Sequence, residues 1–87
     1  MVVEHFKNND PIPVYQRFRD HGRMAPGGIT YISSWVDEKF ECCYQLMETA
    51  DRNLLEEWMA HWSDLIDFEV HRVLTSDEAA KLIQVRS

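Results

Sequence analysis

The sequence is short of nearly everything that would mark a special environment. Three glycines and three prolines in 87 residues are too few for a low-complexity or disordered chain, which needs such residues or a large charge excess to stay unpacked. No apolar run approaches the roughly 18 residues of a membrane-spanning helix. The first residues also lack the basic start and apolar block of a secretory leader, so a soluble cytoplasmic protein is expected. Acidic residues outnumber lysine and arginine fifteen to nine. That balance disfavours general nucleic-acid binding, because neutralising phosphates takes clustered cations. The two cysteines, Cys42 and Cys43, are adjacent. Side chains of neighbouring strand residues point to opposite faces, so this pair is poorly placed to bridge or to share a metal and reads as reduced packing residues. No Cys-x-x-Cys or His-x-x-x-His spacing occurs, and no metal or cofactor is expected.

What is present is apolar and aromatic. A composition 45% hydrophobic and 11% aromatic implies one globular domain over residues 1–87. A chain this short buries only about 60% of its unfolded surface, so additional burial against a partner is valuable. Charge is uneven along it: Lys7, Arg17, Arg19 and Arg23 cluster early, while most of the acids follow residue 37. The early cations form either a solvated helix face or a surface that meets an anion.

Local patterns give the element order. The opening MVVEHF is β-branched and aromatic and reads as a strand. Asp10 as cap, Pro11 at the first position and Gly22 at the end frame a helix with Val14, Tyr15 and Phe18 on one side. APGGIT is a turn. ITYISSWV and CCYQLMET read as strands joined through the polar residues 37–41, a hairpin. Asp51 caps a second helix in which Leu54, Leu55, Trp58, Met59, Trp62, Leu65 and Ile66 recur at spacings of three, four and seven. The rhythm then becomes alternating through Phe68, Val70 and Leu74, a fourth strand, and Ser76 opens a short terminal helix. The order β-α-β-β-α-β predicts an α+β, ferredoxin-like domain: a four-stranded antiparallel sheet with both long helices on one face. Trp58 and Trp62 are the anchors by which the second helix covers that sheet. The strands carry apolar residues at both parities, Tyr31 and Trp35 against Ile32 and Val36, so the other face is expected to be covered by an identical sheet in a homodimer.

The segments SSWVD (33–37), LMETAD (46–51) and LLEEWMAHWSDLIDFEVHRVLTSDEAA (54–80) resemble an uncharacterised bacterial family of short proteins, known as a domain of unknown function, that looks like part of the dimeric α/β-barrel superfamily. The resemblance covers nearly the whole chain. It implies a ferredoxin-like fold and face-to-face dimerisation, with no established activity. Other members of that superfamily include cofactor-free monooxygenases, chlorite dismutases and muconolactone isomerases, and none of their catalytic motifs matches here residue by residue.

Glu48 is the candidate acid or base, because it sits inside an otherwise apolar strand, YQLMET, and a buried carboxylate has a raised pKa. His5 and His71 would approach it if the first strand is central. Trp35 and Tyr44, with Tyr15 and Tyr31, offer apolar walls with polar handles, which suits either a small-molecule pocket or a dimer interface. The functional expectation is a homodimer binding a small apolar or aromatic molecule between sheet and helices, with Trp35 and Tyr44 as walls and Glu48 and His5 as polar contacts. The alternative is a protein-interaction or regulatory dimerisation module without ligand. Whether the protein is an enzyme is left open by the sequence.

Overall fold

The computed structural model describes residues 1–86; Ser87, part of the single-domain reading, lies outside the described residues. The chain runs β1 (Val2–Phe6), a short 3-10 turn (Lys7–Asn9), α1 (Ile12–His21), β2 (Thr30–Val36), β3 (Cys42–Glu48), α2 (Arg52–Ala60), β4 (Ile66–Val70) and α3 (Ser76–Arg86). The four strands form one sheet in the order β2-β3-β1-β4, and every neighbouring pair is antiparallel. Strands β1 and β2 therefore run parallel with β3 between them, and β3 and β4 run parallel with β1 between them. Each parallel pair is joined by one helix.

Alternation along the strands places the core. Val2, Glu4 and Phe6 of β1, Cys43 and Gln45 of β3 and Ile66 of β4 are buried. Val14 of α1, with Leu55 and Trp58 of α2 and Trp62 just beyond it, joins the same buried cluster, so both helices cover one face. Trp58 also packs on Phe68 of β4, ring centres 5.7 Å apart. Across the domain, Arg17 of α1 donates twice to Asp64, at 2.7 and 2.6 Å, and once to the His61 carbonyl. That fork ties α1 to the end of α2. The hairpin between β2 and β3 is held by the Asp37 carboxylate, which accepts from the backbone N–H groups of Lys39, Glu41 and Cys42.

Several boundaries differ from the sequence reading. Asp10 does cap α1, accepting from the Ile12 N–H at 3.1 Å; Pro11 has helical dihedrals and its carbonyl accepts from the Tyr15 N–H, although the helix itself begins one residue later, at Ile12. Helix α2 stops at Ala60, and Trp62 sits in the tight turn that follows, where its carbonyl accepts from Leu65 and Ile66. Strand β4 starts at Ile66 and ends at Val70, so Leu74 lies beyond the sheet and is exposed. The cap of α3 is Thr75 and not Ser76: its hydroxyl accepts from the Glu78 N–H and the Glu78 carboxylate accepts from the Thr75 N–H, a reciprocal capping box. Finally, the β2/β3 register shifts between Tyr31 and Ser33. The extra residue puts Tyr31 on the helix side of the sheet and Trp35 on the other, although the two have the same parity in sequence.

A chain of this length has a typical radius of gyration of about 12 Å; here it is 14.9 Å, with extents of 48 × 30 × 17 Å. Among the described residues none of helix α3 joins the core cluster, and Leu82, Ile83 and Val85 on it are exposed. Among the described residues, no helix is long and apolar enough to cross a membrane.

Candidate functional site

A cavity of about 250 Å³ opens between the sheet and the helices. Its floor is β1 and β3, through Glu4, Phe6, Cys43 and Gln45, and its back wall is Trp58 and Trp62. Tyr15 and Phe18 of α1 and Val36 of β2, each between 37% and 44% exposed, form the rim. An apolar cavity of about 150 Å³ holds benzene, so this one has room for a substituted single ring.

Three of its polar groups, Glu4, Gln45 and Arg23, form one chain. Glu4 occupies the apolar side of β1 between Val2 and Phe6 and is only 4% exposed. Gln45, one strand over, donates its amide Nε2 to a Glu4 carboxylate oxygen. The carbonyl oxygen of the same amide accepts from Arg23 Nε at 3.0 Å. Burial pushes the Glu4 carboxyl up to about 7, against the opposing pull of the Gln45 hydrogen bond and the Arg23 charge. A carboxyl poised there can accept or release a proton at neutral pH. Cys43, across from Glu4 in the ladder, is pushed up to about 12 by burial and by the Glu4 charge. It is therefore a neutral thiol lining the floor and not a nucleophile.

Arg23 follows the Gly22 that ends α1 and is placed by the two tryptophans. Trp58 and Trp62 each donate their indole N–H to the Arg23 carbonyl at 3.0 Å. The guanidinium lies over the Tyr31 ring, 3.8 Å from its centre, and 5.2 Å from that of Phe18. The tryptophans thus pack the core as expected and also fix the loop that carries the cavity's cation.

The residues singled out from sequence sit elsewhere. His5, Trp35, Tyr44 and Glu48 all belong to the sheet face opposite the helices: Trp35 pairs with Tyr44 across β2/β3, and His5 pairs with Cys42 across β1/β3. Trp35 and Tyr44 are thus brought together, 54% and 40% exposed, but on the wrong side of the sheet to wall the cavity. Glu48 is exposed and pairs with Thr30 at the other end of β3 from Cys42, six residues or roughly 20 Å from the His5 end. The imagined His5–His71–Glu48 grouping is replaced by one around Glu69. His5 Nε2 and His71 Nε2 lie 2.8 and 3.1 Å from its two oxygens, and those two partners, His71 first, hold the Glu69 carboxyl below its usual range. Among the described residues no group of histidine, cysteine or acidic side chains is arranged to hold a metal ion.

The uncovered face is divided. Ile32, Trp35 and Tyr44 expose an apolar half toward β2, while His5, Asp67, Glu69 and the Lys7–Asp67 pair make the β1/β4 half charged. The early basic cluster is likewise dispersed: Arg17 pairs with Asp64, Lys7 with Asp67 and Arg19 with Asp20, while Arg23 turns inward.

Glu4 and Gln45 were legible only as an anomaly. An acid between Val2 and Phe6 at strand parity, and an amide between Cys43 and Met47, are polar residues on faces that are otherwise apolar.

Comparison with known families matches residues 1–86 to a domain of unknown function (DUF3303), and the chain belongs to that family. No curated protein and no solved structure matches it.

Proposed function

We propose that this DUF3303 protein is a ferredoxin-like domain that pairs face to face as a homodimer of the dimeric α/β-barrel type and binds a small aromatic molecule in its helix-side cavity. The two interleaved β-α-β units and the β2-β3-β1-β4 order support the ferredoxin-like reading. The single observation that carries the binding reading is Glu4: an ionisable group placed against an apolar cavity wall, where a purely structural core would hold a hydrocarbon. Apolar walls take the ring, and the Glu4 carboxyl hydrogen-bonds a polar substituent on it. Proton transfer to or from such a ligand is the chemistry that a carboxyl poised near neutrality offers.

The dimer follows from surface left over on the isolated chain. Ile32, Trp35 and Tyr44 on the sheet, and Leu82, Ile83 and Val85 on α3, are each exposed, and apolar residues left wet in this number favour burial against a partner. A second copy is the partner that the symmetry of such assemblies favours. His5, Trp35, Tyr44 and Glu48 then belong to this interface and not to the ligand site.

Thermal-shift titration with phenol and benzyl alcohol tests the binding reading. A ligand at 100 times its dissociation constant stabilises by about 2.7 kcal/mol, and Trp58→Ala, which opens the back wall, should abolish the ring's contribution. No shift with any monocyclic probe would leave the interaction-module alternative standing.

A further inference from the structure

We propose that the cavity's ligand is an anion, a small aromatic carboxylate held by the terminal amino groups of Arg23 with its ring against the tryptophan wall. This rests on the cavity being a binding site, as argued above, and names the class of molecule it takes.

Arg23 is positioned without having its charge consumed. Among the described residues only Nε is used, donating to Gln45; the guanidinium is stacked on Tyr31 and Phe18; the backbone carbonyl is clamped by two indoles. Among the described residues no carboxylate pairs with it, whereas Arg17, Arg19 and Arg52 each have an acidic partner. A planar guanidinium with parallel N–H donors matches a carboxylate in two hydrogen bonds. Aromatic stacking fixes that fork at the cavity wall, where exclusion of water strengthens the attraction.

Gln45 separates Arg23 from Glu4, accepting from the one and donating to the other. An anion entering beside Glu4 makes its ionised form costlier, so binding takes up a proton and is tightest where Glu4 is already neutral. The other titratable groups around Glu4 on the helix side are Tyr15 of α1 and the thiol of Cys43 on β3, both shifted upward and uncharged at neutral pH, together with Arg23; the Cys42 thiol, also shifted upward, lies on the far side of the sheet beside His5. Helix α2 brings Trp58, the turn after it Trp62, and β4 brings Phe68, none of which ionises. All four histidines are exposed and none lines the cavity.

The experiment is calorimetric titration of the full chain with benzoate, which is ionised throughout, and with neutral benzyl alcohol, at pH 5.5 and 8.5. Wild-type protein should prefer benzoate by about tenfold or more at the lower pH. Its benzoate affinity should fall about tenfold at the higher pH, with proton uptake visible as a dependence on buffer ionisation heat. Arg23→Gln should bring benzoate down to the level of benzyl alcohol while leaving benzyl alcohol unchanged, which also shows that the variant is folded; Arg23→Lys should recover part of the preference. Glu4→Gln should keep benzoate at its low-pH strength at both values. Equal or better binding of benzyl alcohol by the wild type, or an Arg23→Gln variant that still prefers benzoate, overturns the anion assignment and leaves the cavity reading intact. If neither probe binds, both readings fall.

Discussion

Gln45 donates its side-chain amide to the Glu4 carboxylate from the neighbouring strand, inside the core, with both residues at most 6% exposed. The bond offsets only part of the cost of keeping a carboxylate out of water, and the Glu4 carboxyl still rises to about 7. Because the folded protein holds this proton more tightly than the unfolded chain, Glu4 contributes stability that is fully present below its unfolded value of 4.5 and is lost as pH rises to about 7. Above that the contribution is flat. Glu4→Gln should therefore remove this component of the slope and exceed wild type at pH 8 by about 2–3 kcal/mol. Urea denaturation of both proteins at pH 5 and 8 measures the difference directly. Equal offsets at both pH values would mean that the carboxyl is not desolvated.

Two indole donors converge on one acceptor, the Arg23 carbonyl. Trp58→Phe or Trp62→Phe alone leaves that carbonyl one partner, whereas the double variant leaves it none in a half-buried setting. The double substitution should accordingly cost about 0.5–2 kcal/mol more than the sum of the singles. A double-mutant cycle in urea checks this, and strict additivity would show that solvent replaces the lost donors.

Most of the fold was legible because the signals were local and redundant. Asp51 accepts from the Asn53 N–H at 2.9 Å as a cap, and Leu55 and Trp58 are buried on the helix face their spacing implies. What misled was parity. An extra residue at Ile32 turns Tyr31 and Trp35 to opposite sides, and no residue type announces such a shift. The same dependence hid the site: Glu48 shares parity with Tyr44 and Leu46, which face away from the helices, while Gln45 shares it with Cys43. Inside and outside on β3 could be assigned only once its register with β1 was known, since both of its faces carry apolar side chains. Glu4 needed no register, only attention to an acid flanked by Val2 and Phe6.

Gly28 tests how tightly the loop after Arg23 is seated. Its φ is +98°, and a Cβ there would lie 2.7 Å from Leu54 Cδ1. Leu54 can shift the end of its side chain, so the backbone conformation sets most of the cost. Gly28→Ala should destabilise by about 1–3 kcal/mol. At Gly27 a Cβ meets nothing within 4 Å, and Gly27→Ala should fall within about 0.5 kcal/mol of wild type. Thermal or urea unfolding of the pair discriminates; equal effects would show that the loop relaxes freely.

Trp35 is the sharpest probe of the assembly, because it is 54% exposed on the sheet and faces Tyr44 across the ladder. In a face-to-face dimer it lies in the apolar half of the interface, where aromatic residues dominate binding energy. Trp35→Glu removes that anchor and sets a charge against the partner's sheet, which in a two-fold arrangement is introduced twice. The wild-type chain should sediment as a dimer at micromolar concentration and Trp35→Glu as a monomer. Helix-side packing should be untouched, since Trp35 is on the far side of the sheet from Trp58 and Trp62, and near-ultraviolet circular dichroism of those two indoles would verify it. A wild-type chain that sediments as a monomer would instead mean that Trp35, Tyr44 and the α3 leucine and isoleucine are exposed for a different partner.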